Sequence, residues 1–143
     1  MKKRLTTCGL ILLVSLFCTA AFAGMNKQVA ANITTSDVNK AAMAIKFTHN
    51  IMKTKGMKAT LFFNVYGVEL VNKNKISPIY PTGQNISQMI AEFIKDGGTV
   101  LACPMCMKNV GGMTNADLLP GVTAQQGAGL EAITQPETLV LSY

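Results

Sequence analysis

The spacing of apolar residues changes period several times along this chain, and each change marks a new element. Val29 to Thr35 predicts a modest first strand. Ser36-Asp37 then reads as a helix cap, with Val38, Ala42, Ile45, His49 and Met52 following at three- and four-residue spacing on one helical face. Lys53 and Lys55 suit the negative end of that helix, and Gly56 is a good stop. Ala59 to Tyr66 (ATLFFNVY) is almost continuously apolar and predicts a strand buried on both faces.

Gly67 breaks that strand, and Val68 to Lys73 predicts a single helical turn. Asn74 to Gln84 is a polar loop carrying Pro78, Pro81 and Gly83. Asn85 with Gln88 has the form of a capping box, and Ile86, Met89, Ile90, Phe93 and Ile94 follow as an amphipathic helix ending at Gly97-Gly98. A short strand, Thr99–Ala102, leads to a brief helix reaching about Val110. After a turn at Leu118–Gly121 come an extended piece at Val122–Ala124, a helix near Ala128–Thr134 and a last strand, Thr138–Tyr143. Strands and helices alternating in this way predict one α/β domain: a mostly parallel five-stranded sheet with helices on both faces.

The first 23 residues stand apart. Lys2-Lys3-Arg4 is a basic start, Leu10 to Phe17 is an apolar run, and Ala21-Phe22-Ala23 is a small-x-small cleavage site. This predicts a cleaved signal peptide (1–23), export to a bacterial periplasm, and a mature domain at 24–143 with no stable membrane anchor. Phe17, ahead of Cys18, argues against a lipoprotein signal. Of thirteen Lys/Arg, three leave with the leader, so ten face seven Asp/Glu. That mild, scattered positive charge offers no case for nucleic acid. Cys8 and Cys18 also leave, so only Cys103 and Cys106 remain and the fold must rest on a packed core.

Those two thiols carry the candidate chemistry. Cys103-Pro104-Met105-Cys106 follows a strand directly, and Pro is at home in the first position of a helix. Cys103 is thus the expected cap, with Cys106 in the first turn, and the free N–H groups at the helix start favour a thiolate at Cys103. A structural disulfide within a plain interaction module is the bland alternative. A thioredoxin-like enzyme fits poorly, since two strands and two helices precede the pair. Soft-metal binding is another reading: Cys103, Met105, Cys106, Met107 and Met113 place five sulfurs within eleven residues, a set suited to Cu(I). His49 lies far off in sequence and reads as a core or interface residue. Gly127-Ala128-Gly129 is too short for a phosphate-cradling loop.

Taken together, ATLFFNVYGVEL, then VLAC with Gly111 eight residues on, then QQGAGLEAI before LVLSY, resemble the DsrE/DsrF-like sulfur-relay family over nearly the whole mature chain. The resemblance implies a three-layer, flavodoxin-like (DsrE-like) fold and assembly as trimers or hexamers. It further implies a cysteine that accepts sulfane sulfur as a persulfide, a role falling on Cys103, with a donor or acceptor that is a protein or a small sulfane compound. Cys106 has no counterpart in single-cysteine members and is expected to resolve the adduct. Basic residues often found before the glycine are replaced by Asn109-Val110, leaving Lys108. Exchange at sulfur needs no cofactor.

Overall fold

The computed structural model describes residues 27–143. The expected signal peptide and its expected cleavage site after Ala23 lie outside the described residues. Five parallel strands form one sheet in the order β4-β3-β2-β1-β5: β1 (Gln28–Ile33), β2 (Lys58–Phe63), β3 (Thr99–Ala102), β4 (Val122–Thr123) and β5 (Thr138–Ser142). The order reverses around β1, so the chain winds outward in both directions, as an open α/β sheet does. Every strand pair is parallel.

One face carries the main core. Val29, Ala31 and Ile33 of β1, Leu61 and Phe63 of β2, and Val100 and Ala102 of β3 alternate onto it, as the period of two requires. Two helices cover it, α1 (Val38–Lys55) and α2 (Ile86–Lys95), through Ala41, Ala42, Ala44 and Ile45 and through Ile86, Met89, Ile90 and Phe93. The small α1 residues let that helix lie close to the strands. Removing the Phe63 ring from this layer costs about 3–5 kcal/mol.

The helix ends obey the expected chemistry. Asp37 caps α1 by accepting from Lys40 N, and Gly56 closes it at φ 64°. Asn85 and Gln88 form a complete capping box on α2. His49 edges onto the Phe93 ring at 5.5 Å and pairs through Nε2 with Asp96 at 2.8 Å, where Lys53 joins at 3.0 Å. Hydrogen bonds from Lys53, first, and from His49 hold the Asp96 carboxyl below the usual carboxylate range.

Among the described residues the opposite face is covered more thinly, with α4 (Ala128–Thr134) packed on it. Gly129 makes that packing possible, because a Cβ there would collide with the Phe62 ring. The expectation that the second strand is buried on both faces therefore holds on one side only: Leu61 and Phe63 are buried, whereas Thr60 and Phe62 are half-buried. That strand also stops at Phe63 and does not run to Tyr66. Asn64 N donates back to Ile33 O and Tyr66 N to Thr34 O, which turns the chain into a 3₁₀ segment, Val65–Val71. Among the described residues no helix is long and apolar enough to cross a membrane.

Candidate functional site

β3 ends at Ala102, and Cys103 extends its ladder by one bond, donating from its N–H to Phe63 O at 2.9 Å. The chain then turns sharply. Cys103 keeps extended angles (φ −75°, ψ 114°), Pro104 opens a single helical turn, α3 (Pro104–Cys106), and a π-type turn continues it over Met107–Gly111. Cys103 caps this turn in two ways: its carbonyl accepts from Met107 N at 2.9 Å, and its sulfur accepts from Cys106 N at 3.4 Å. The second contact aims a backbone N–H at the Cys103 sulfur.

Both cysteines are free and half-buried. Cys106 leans toward the core, and its thiol is pushed above the ordinary range. Burial is the first cause, the hydrogen bond to Cys103 the second, and the charge of Cys103 adds to them; the backbone N–H of Val65 acts the other way. Burial thus makes Cys106 hold its proton more firmly than an exposed thiol does.

Cys103 opens onto a cavity of about 290 Å3 between the sheet end and α4. Phe62 of β2, Pro104 and Met105 of the turn, and Leu130 and Ile133 of α4 form its apolar wall. The amides of Gln125 and Gln126 supply polar groups. No residue lining it carries a formal charge; Lys108, the nearby cation expected from the sequence, is exposed and outside the lining. A second cavity of about 300 Å3, lined from α1, α2 and Gln84, contains His49, Lys46, Lys53 and Glu92 but no cysteine.

The five sulfurs of the set differ in exposure. Met107 and Met113 are buried in the core at 2% and 5% exposure, while Met105 is 67% exposed at the mouth of the cavity. Burial of the two thioethers follows from their packing role beside Val68 and Gly111. Among the described residues no three of His, Cys, Asp and Glu cluster as metal ligands. Cys103 and Cys106 are brought together as their spacing implies. What sequence reasoning missed is the α4 contribution, Leu130 and Ile133, and the backbone of Val65; only the apolar i, i+3 spacing of the α4 pair signalled a buried stripe.

Residues 20–140 match the family model described as the DsrE/DsrF-like family. The chain belongs to that family. Membership points to sulfur-relay or redox chemistry carried out with partner proteins by an oligomer. The crystal structure of the ychN protein from E. coli shares this fold at a TM-score of 0.63 and 17% identity, over 83% of this chain and 100% of that one. No curated protein matches. The five-stranded parallel α/β sheet is therefore the DsrE-like fold, as the sequence resemblance implied.

Proposed function

We propose that this protein is an exported, periplasmic sulfur carrier or thiol-redox protein in which Cys103 is the nucleophile and Cys106 the resolving thiol. One observation carries this reading: the Cys103 sulfur, with an N–H aimed at it, faces a cavity at the carboxyl end of the sheet and has a second thiol one turn behind it. The leader-like pattern of residues 1–23 supports export.

The chemistry is thiolate exchange. Cys103 thiolate attacks the outer sulfur of a persulfide RS–SH; a new S–S bond forms, the donor's S–S bond breaks, and RS⁻ leaves and takes up a proton. Cys103–S–SH results. An acceptor thiolate then takes the outer sulfur and restores Cys103, or Cys106 attacks the Cys103 sulfur, expelling HS⁻ and leaving a Cys103–Cys106 disulfide. Because Cys106 holds its proton tightly, resolution is slower than loading, and the adduct lasts long enough to be passed on. Exposed Met105 and Leu130 at the cavity mouth give a donor or acceptor protein an apolar seat.

Intact-mass measurement tests this. The reduced protein is treated with inorganic polysulfide and, separately, with a neutral organic trisulfane. The Cys106→Ser variant is expected to accumulate a sulfur adduct that maps to Cys103, and Cys103→Ser to accumulate none. No adduct from either donor, in wild type or in Cys106→Ser, would overturn the assignment.

A further inference from the structure

The cavity in front of Cys103 has a chemical preference written into its walls. Its contacts are a phenyl ring, a prolyl ring, a thioether and two branched aliphatic chains, with two neutral amides. An anionic donor entering it would lose water and meet no cation. Burying an unpaired carboxylate or sulfonate is strongly unfavourable, and the Cys103 thiolate would repel it as well. Apolar sulfur chains face neither cost. The volume, about 290 Å3, lies at the small end of ordinary ligand cavities, which run from about 300 to 1,000 Å3.

Resting on the sulfur-carrier reading above, we propose that the small-molecule donor of this site is an uncharged organic polysulfane, RS–S–SR, bound between Phe62 and the Leu130–Ile133 face of α4. Its R groups lie against that apolar wall, and its sulfur chain meets the Cys103 thiolate. Attack at the sulfur bearing R forms Cys103–S–S–R, breaks one S–S bond and expels RSS⁻. The persulfide anion is a better leaving group than a thiolate because its conjugate acid is stronger. The Gln125 and Gln126 amides are the cavity's donors for that developing charge. Cys106 thiolate then attacks the Cys103 sulfur, expelling RS⁻ and closing the Cys103–Cys106 disulfide. In sum, two thiols and RSSSR give one disulfide, RSH and RSSH: the dithiol loses two electrons and the trisulfane gains them. One equivalent of persulfide is released per reduced protein, and an external dithiol restores the pair.

The test compares dipropyl trisulfane with bis(2-carboxyethyl) trisulfane, which share a reacting core and differ in charge. Rates of thiol loss are measured on the reduced protein and divided by those of a free small thiol, to cancel intrinsic reactivity. The neutral compound is expected to be favoured about tenfold or more over the dianion, the sign set by desolvation of the carboxylates. Leu130→Lys, at a position 64% exposed, should narrow that ratio by speeding the anionic compound while leaving the fold intact. Equal or inverted selectivity, or a ratio untouched by Leu130→Lys, would sink the donor assignment. If inorganic polysulfide still loads Cys103 in that case, the sulfur-carrier reading stands; if no donor loads it, both fall. Slow reaction with both trisulfanes alongside rapid alkylation by iodoacetamide would make the cavity a seat for a partner's side chain, and would also overturn the assignment.

Discussion

Gly67 lies so close to the Ile33 carbonyl that no Cβ fits between them, and Val65, two residues earlier, takes a left-handed conformation, φ 47°, that a β-branched residue rarely adopts. The strain is local and has a structural cause. Asn64 N and Tyr66 N are both tied to β1 and its following residue. Val65 is left to absorb the turn.

Relieving that strain should stabilise the protein. Val65→Gly keeps the N–H and loses a side chain already 41% exposed. Release of about 1–3 kcal/mol of backbone strain, less the extra freedom of an unfolded glycine, leaves a gain of roughly 1 kcal/mol. Chemical denaturation of both proteins in the reduced state checks it; a loss of stability would show that Val65 packing outweighs its backbone.

The raised Cys106 pKa gives a pH prediction. After burial, Cys103 raises it through a hydrogen bond and through charge. Replacing Cys103 with alanine removes both, so alkylation of Cys106 in Cys103→Ala should set in at lower pH than in wild type. Because the folded value is raised, the Cys106 contribution to stability is full below the ordinary thiol range and is lost as pH rises through the folded pKa. Peptide-mapped iodoacetamide labelling across alkaline pH reads the profile. An unchanged midpoint would mean the sulfurs do not interact.

Gly129→Ala tests how α4 is seated. The new Cβ meets the Phe62 ring, and forcing the two apart costs about 1–3 kcal/mol. The ring is displaced toward the cavity, so labelling of Cys103 by a bulky maleimide should also slow. Urea denaturation and labelling rate, measured together, separate loss of stability from loss of access.

Asp96 supplies the acid-side counterpart. Lys53 and His49 depress its pKa, so its contribution is present above the ordinary carboxylate value and is lost as pH falls through the lower folded one. Urea midpoints of wild type and Asp96→Asn should differ at neutral pH and draw together as pH falls below the ordinary carboxylate range. Asp96 is exposed, and the difference is expected to be small.

Apolar period alone determined the order of strands and helices, the caps of α1 and α2, and the position of the two thiols at the end of a strand, because these depend on residues near one another in the chain. The same pattern overran β2 by three residues: Asn64–Tyr66 is as apolar as a strand edge, yet backbone bonds to β1 and Thr34 bend it away. Whether a sulfur-bearing side chain fills the core or faces a ligand was equally closed to composition; Met107 and Met113 are buried and Met105 is exposed. The cavity is the clearest case. Phe62, Cys103 and Leu130 come from three separate stretches, and only the β4-β3-β2-β1-β5 order, with α4 crossing the thinly covered face, brings them to one place. Local sequence sets which segments are strands or helices, but contacts between distant segments arise only when the sheet closes its core, and the pocket exists because of that closure.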